Sequence, residues 1–345
     1  MGHARVSGRE SDSAARLAEH RGGVLNTLTA VAGGHTASVT AAAVTGRVQW
    51  EDLFAQVVVP HFPQAWSYGE GKRAQGWSIE RLAFQDDQGP VAVCQVLVRR
   101  VLGVPVLSRI NRGPLFLRRA PPPDLQLSVF SALRRRWRGR RGLLLIAPAL
   151  PFDETSATLL RAAGFMRRRA GGWGSALIDL EPTPDAIRAS FSSKWRNPLN
   201  SAIRAGVEVR MRRDPEAFEW MLERHVGNMA AKNFVGPAVG FARAMIAASP
   251  DSFWVLQALL GNEPVSGLLG TRIGVHAENF LGWTNDAGRR TGAHSLLIWN
   301  AILEMKAAGC RALDLGGYTT NEKYGAYKRG MRGTEYRLCG EWLAF

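Results

Sequence analysis

Apolar and polar positions follow the same order twice along this chain. Residues 77–84 (WSIERLAF) alternate as a half-buried strand does, 86–90 (DDQGP) form a polar turn, and 91–100 (VAVCQVLVRR) read as the next strand. In the second half 253–260 (FWVLQALL), 261–264 (GNEP) and 265–273 (VSGLLGTRI) repeat that order, with Pro-Val closing the turn in both copies. A third strand follows each hairpin, at 104–110 (VPVLSRI) and 276–283 (HAENFLGW). Each copy then predicts a helix. Residues 125–137 carry Leu127, Phe130 and Leu133 on one face, while 295–309 (SLLIWNAILEMKAAG) carry a fuller apolar face that stops at glycine. A strand of buried character closes each copy, at 143–150 (LLLIAPAL) and 311–317 (RALDLGG).

The two Pro-Val turns lie 174 residues apart, about half of the 345-residue chain. Two α/β (α+β) domains of one architecture are therefore expected: an antiparallel meander, a crossover helix, and a further strand beside the third. The expected boundaries are a disordered tail at 1–35, a first domain at 36–178 and a second at 179–345. The joint is SALIDLEPTPD, in which Thr183 and Pro184 open the next helix. Strand-hairpin, strand, helix, strand is the order of the GNAT acyltransferase fold, although fold by itself does not assign chemistry.

Charge changes this picture less than its size suggests. The formal charge is +15, but only six of the 44 cations are lysine, so much of the charge reflects a compositional preference for arginine. The lysines Lys72, Lys194, Lys232, Lys306, Lys323 and Lys328 are the more informative positions, since a compact ammonium is not interchangeable with a guanidinium. Three cysteines supply no disulfide framework, and no Cys/His cluster has metal-ligand spacing, so no metal is expected and a reducing, cytoplasmic setting is. No run of 18 apolar residues predicts a membrane span.

Residues 190–210 (SFSSKWRNPLNSAIRAGVEVR) place Phe191, Trp195, Leu199, Ala202 and Ile203 on one helical face. Asn197 and Pro198 read as an N-cap and first helical residue, so the helix is expected to restart there. Lys194, Arg196, Arg204 and Arg210 make its other side basic, either as a solvated edge or as the rim of a site for a phosphorylated substrate.

Two stretches carry candidate chemistry. DAGRRTGAHSLL (286–297) precedes the helix of the second copy, where unpaired amides and the helix dipole suit a pyrophosphate. Arg289 and Gly292 fit the coenzyme A cradle of the GNAT fold, whereas His294 stands where a small residue is needed. LDLGGYTTNEKYGAYKRGMRG (313–333) ends a strand in a glycine pair and leads into a short helix bearing Tyr324, Tyr327 and Lys328. That arrangement can bring an ammonium and a phenol to a developing oxyanion. Trp283 and Asn285 end the preceding strand near the presumed cleft. The basic clusters at 134–141 and 167–169 suit RNA or anionic lipid, or simply complement a helix end. Gly69-x-Gly71-x-x-Ala74 follows no strand and is discounted as a dinucleotide fingerprint.

DLGGYTTNEKYGAYKRGMRG resembles the carboxy-terminal signature of the Fem family, aminoacyl-tRNA-dependent transferases that build peptidoglycan cross-bridges. FPQAWSYGEGKRAQGW (62–77), NRGPLF (111–116) and KWRNPLNSAIRAGVEV (194–209) resemble three further segments of that family, in order. The resemblance implies tandem GNAT-like domains, with Lys72, Arg112, Lys194 and Arg196 gripping the diphosphate of a muramyl-pentapeptide precursor and Lys328 steadying the transition state. Tyr324 or Tyr327 would donate a hydrogen bond there, and a general base is not identified. Pro198 departs from the family's continuous helix, and no heptad-patterned hairpin arm is present.

The expected activity is transfer of an aminoacyl or acyl group onto an amine of a cell-envelope precursor, with no tightly bound cofactor. The donor is either an aminoacyl-tRNA or an acyl-CoA. tRNA and the inner membrane surface are the accompanying partners. The alternatives are an acyl-CoA-dependent N-acetyltransferase of an envelope or exopolysaccharide sugar, and a non-catalytic descendant that binds RNA or envelope components.

Overall fold

The computed structural model describes residues 38–138, 142–317 and 322–345. The tail expected at 1–35 lies outside them, as does part of the 134–141 cluster. In the first half the strands are β1 (Thr40–Ala43), β2 (Ser78–Asp86), β3 (Gly89–Val101), β4 (Val104–Asn111), β5 (Leu115–Phe116), β6 (Leu143–Ala147) and β7 (Met166–Ala170). Helices α1 (Arg47–Ala55), α2 (Trp66–Ala74), α3 (Pro123–Trp137) and α4 (Glu154–Ala162) run between them. Strand β8 (Gly174–Asp179) leads to α5 (Pro184–Ser190), α6 (Ser193–Arg204), β9 (Glu208–Arg212), α7 (Pro215–Lys232) and α8 (Val239–Ala248). There follow β10 (Phe253–Leu260), β11 (Glu263–Ile273), β12 (His276–Thr284), α9 (Asp286–Thr291), α10 (Ala293–Ala307), β13 (Ala312–Asp314), α11 (Glu322–Arg329), β14 (Thr334–Arg337) and β15 (Gly340–Ala344).

The internal repeat survives in the strand pairing. β2, β3 and β4 form an antiparallel meander and β6 lies parallel to β4 after the α3 crossover. β10, β11 and β12 do the same, with β13 parallel to β12 after α10. The sheets do not, however, divide where the sequence suggests. The first runs β1-β2-β3-β4-β6-β15-β7 and the second β14-β8-β13-β12-β11-β10-β9. Strand β8 belongs to the second sheet and takes up the first half of the expected joint, so the expected boundary at 178/179 falls inside it. The C-terminal strand β15 returns to the first sheet, between β6 and β7. No short-range pattern encodes such an exchange, because it depends on which edges remain unpaired once each meander has formed.

Three apolar cores result. One lies between the first sheet and α3/α4, another between the second sheet and α5, α6 and α10. The third, with Trp50, Phe62, Phe241, Met245 and Phe253, packs α1, α2, α7 and α8 between residues of both sheets. Here α2 crosses α8 closely: a Cβ on Gly71 would sit 2.5 Å from Met245 and 2.7 Å from Phe241. The crossing puts the Lys72 ammonium 4.5 Å from the centre of the Phe241 ring.

The helix expected to restart at Asn197 does not. Ser192 caps it through its side chain onto the Trp195 amide, and α6 runs unbroken through Pro198. Capping comes earlier because Ser192 stands three residues before Trp195, where its side chain reaches that amide, and the helix runs on without the one backbone hydrogen bond that Pro198 cannot donate.

Trp342 of β15 is fully buried in the core of the first sheet. Trp342→Ala is expected to lower unfolding free energy by about 3–5 kcal/mol in urea titrations. A loss below about 1 kcal/mol would contradict a C-terminal strand seated in that sheet.

Candidate active site

A cavity of about 1450 Å³ opens between the C-terminal end of β4, the centre of β12 and the turn after β13. Among the described residues six cations line it, Lys72, Arg109, Arg112, Arg169, Lys232 and Lys328, against two carboxylates, Glu278 and Glu341. Glu341 is held by Arg109 at 3.1 Å and by Arg168 at 2.6 Å. The surplus of positive charge, focused by low-dielectric walls, favours an anionic occupant.

Arg112 follows β4 in the left-handed backbone region (φ 53°), with its amide donating to Ala147 O at 2.7 Å. A non-glycine residue held there costs on the order of 1 kcal/mol and persists because its surroundings fix it. The guanidinium stacks 4.2 Å from the Trp173 ring and meets Glu278 at 3.3 Å. Trp173, 40% exposed, presents an aromatic surface to the cavity.

Glu278 sits on β12, in register with Asp314 of β13, and is only 6% exposed. Burial pushes its carboxyl well above the usual carboxylate range, against the opposing field of Arg112 and with Asp314 adding to the rise. Its neighbour Asn279 is buried beside a bulge in the β11–β12 pairing, and its carboxamide has no hydrogen-bond partner among the described residues. Asn279 lines the cavity, and an orphaned buried amide is a group that a ligand could satisfy.

Lys328, near the end of α11, is 4% exposed. Its ammonium donates to the carbonyl oxygens of Gly316 at 2.6 Å and Gly317 at 2.9 Å. Burial pushes it down to about 8, with the charges of Asp314 and Glu278 pulling the other way. The adjacent Tyr327 hydroxyl lies 3.1 Å from Ser295 Oγ. Burial and the fields of Lys232 and Lys328 lower His294 to about 4, so its ring is neutral at pH 7.

Of the residues singled out in the sequence, Lys72, Arg112, Tyr327 and Lys328 meet in this cavity. Others lie elsewhere. Lys194 is exposed, and Arg196 lines a separate concavity of about 450 Å³ with Asp185, Arg188 and Asn200. The basic side of 194–210 is therefore not the rim of the large cavity, because the apolar face of α6 turns inward onto α10 and carries these cations outward. Trp283 packs edge-on against Trp220, and Asn285 caps α9 through the Gly288 amide. Arg289 folds back onto Asp286 and the Thr284 carbonyl. Gly292 ends α9 with φ 80°, and a Cβ there would lie 2.4 Å from the Pro198 carbonyl oxygen. The close approach of α6 thus accounts for this glycine without a phosphate. The expected loop is a helix, with the amides of Gly288, Arg289, Gly292 and Ser295 already engaged by Asn285, Gly288 and Gly292. The Tyr324 side chain lies outside the described residues.

The sequence left Glu278, Asn279 and Trp173 unremarked. Glu278 had a signal: it is the one acid in 276–283, a segment that otherwise reads as a buried strand.

Residues 189–329 match the family model of the GNAT acetyltransferase domain. No curated protein matches the sequence. Among solved structures, the chain is similar to FemX, at 14% identity over 88% of this chain and 96% of that one, with a TM-score of 0.75. It is also similar to the C-terminal domain of a proposed lysylphosphatidylglycerol synthetase from Agrobacterium fabrum, at 13% identity over 86% and 92% of the two chains (TM-score 0.54). A tandem GNAT protein of the clavulanic acid biosynthesis pathway matches at 13% identity over 89% and 98% (TM-score 0.50). The fold is thus that of tandem GNAT proteins, and the Fem-type resemblance holds for it.

Replacing Arg112 by Met is expected to strand the Glu278 carboxylate. A carboxyl whose folded pKa exceeds its unfolded value binds more protons when folded, so stability falls as pH rises through that interval. R112M should match wild type near pH 5 and lose about 3 kcal/mol relative to it at pH 8. A deficit independent of pH, measured by urea unfolding, would contradict the pairing.

Proposed function

Starting from a Fem-like tandem GNAT fold with an acyltransferase domain at 189–329, we propose that this protein transfers an aminoacyl group from aminoacyl-tRNA to an amine of a phosphorylated cell-envelope precursor. The muramyl-pentapeptide class of peptidoglycan precursor is the acceptor that this reading favours. The observation that carries it is a proton acceptor and a cation, Glu278 and Lys328, facing one cation-lined cavity.

The chemistry follows from those two groups. An ammonium acceptor must lose a proton before its nitrogen can attack, and the ionised Glu278 carboxylate can take it. The amine nitrogen then bonds to the ester carbonyl carbon, negative charge collects on the carbonyl oxygen, and Lys328 stabilises it. Collapse breaks the bond between that carbon and the ribose oxygen; the ribose oxygen takes the proton that the new amide nitrogen gives up and leaves with the tRNA, and Glu278 returns its own proton to solvent. No covalent enzyme intermediate is needed. Lys72, Arg112 and Arg169 suit the phosphates of the acceptor. The unpaired carboxamide of Asn279, one acceptor with two donors, suits an amide or aminoacyl group.

An acyl-CoA donor is the second reading, favoured by the acetyltransferase domain match. The engaged amides of α9 and the contact between Gly292 and Pro198 tell against a pyrophosphate seat at that helix. Three buried, unbridged cysteines and the lack, among the described residues, of a helix able to cross a membrane suit work in the cytoplasm, with the membrane met only at its surface.

Transfer should be assayed with aminoacyl-tRNA and acetyl-CoA as donors and UDP-muramyl-pentapeptide as acceptor. Turnover with acetyl-CoA alone would replace the aminoacyl reading by the acetyltransferase one. Binding without turnover, indifferent to Lys328→Ala, would mark a non-catalytic descendant. With the active donor, Glu278→Gln should lower kcat by about 10²–10⁴-fold. Activity requires Glu278 deprotonated and Lys328 protonated. The pH profile should accordingly rise above the ordinary carboxylate range and fall near 8. Lys328→Arg should abolish that fall, since guanidinium stays charged. An alkaline limb unmoved by this change would remove Lys328 from the reaction.

A further inference from the structure

We propose that Asp314 is a positioning residue of this reaction: by accepting hydrogen bonds from Ser175, Tyr336 and the Gly316 amide, it fixes the turn whose two carbonyl oxygens hold the Lys328 ammonium. This rests on the acyl-transfer reading given above.

Asp314 ends β13 and is buried. One carboxylate oxygen accepts from Ser175 Oγ at 2.5 Å and from the Gly316 amide at 2.8 Å, the other from the Tyr336 hydroxyl at 2.5 Å. The donors come from three places that the strand exchange brings together. Ser175 lies on β8 and Tyr336 on β14, paired directly across the ladder, and β13 flanks β8 on its other side. Gly316 adopts φ 75°, and a Cβ there would stand 2.8 Å from the Asn279 carbonyl oxygen, so the turn is tight as well as left-handed. Its carbonyl oxygen is also 2.7 Å from Ser175 Oγ. The serine has one proton for these two acceptors, so the Gly316 amide and the Tyr336 hydroxyl are the donors that Asp314 keeps whichever acceptor takes it.

Nothing in this arrangement puts Asp314 against a substrate. It acts through the Gly316–Gly317 carbonyls, and so on the place and charge of Lys328. Glu278 from β12 also acts on Lys328, Lys328 in turn acts on His294 of α10, whose ring is neutral, and His276, Arg112 and Tyr336 surround the carboxylates. Asp314 favours the charged form of Lys328, as Glu278 does. Losing its charge should therefore lower the pH at which Lys328 titrates, and losing its hydrogen bonds should let the turn drift. A misplacement of about 1 Å can cost on the order of 10²-fold in rate.

The chain has only six lysines, so lysine-selective isotope labelling gives a small NMR set in which Lys328→Arg identifies the Lys328 signal. In folded Asp314→Asn, Lys328 is expected to titrate below its wild-type value near 8. Its kcat should drop on the order of 10²-fold at an unchanged acceptor KM. A wild-type Lys328 titration in that variant overturns the proposal. If Asp314→Asn does not fold, Asp314→Glu serves: the charge remains but the three donors cannot be met together, so kcat should fall while Lys328 still titrates near 8. An unchanged kcat in D314E overturns it equally. The titration needs no substrate, so a wild type inactive with every donor would defeat the acyl-transfer reading while the Lys328 shift in D314N was still observed.

Discussion

A buried guanidinium facing a buried carboxylate organises this molecule. Arg112 closes the last strand of the first meander and Glu278 lies on the last strand of the second, 3.3 Å apart. Neither charge is affordable alone in such surroundings, so each repeat completes the other. The pair leaves Glu278 poised: burial raises its carboxyl, Arg112 restrains the rise, and a carboxyl caught between them can exchange a proton near neutral pH. Lys328 is displaced in the opposite sense by the same burial. An acid–base pair whose values converge from both sides is what amine acylation requires.

The placement of β8 and β15 ties the two halves of the chain together around this pairing. Were each sheet closed by its own strands, the cavity walls would belong to independently folding halves. Instead β15, adjacent to the Leu338–Glu341 part of the cavity lining, is an interior strand of the first sheet, while β8 carries Ser175 beneath the Gly316 turn. Lys328 is thereby referenced, through the Gly316 and Gly317 carbonyls and Asp314, to a sheet interior rather than to a surface helix.

Much of the fold was legible because repeats and periodicity are local. The strands at 253–260, 265–273 and 276–283 appear within a few residues of their expected bounds, and both copies show the parallel strand after the crossover helix. The exchanged strands were not legible, since pairing between residues 144 and 344 leaves no periodic trace. In the site, Lys72, Arg112, Tyr327 and Lys328 were found through type and motif, and they do converge. Lys194 and Arg196 were drawn in by their charge and by the resemblance of 194–209 to a family segment, and the same apolar stripe that identified α6 dictates that they face away. Glu278 escaped because a single acid in a buried strand has meaning only once its partner, 166 positions away, is known.

The central claim is that the cation-lined cavity, and not the basic side of α6, receives the phosphorylated acceptor. Calorimetric binding of UDP-muramyl-pentapeptide to wild type, Lys72→Ala and the double variant Lys194→Ala/Arg196→Ala tests it most directly. The expected result is about tenfold or greater weakening in Lys72→Ala, corresponding to about 1.4 kcal/mol, with the double variant binding as wild type does. Weakening confined to the double variant would contradict the claim and return the acceptor to the outer face of α6.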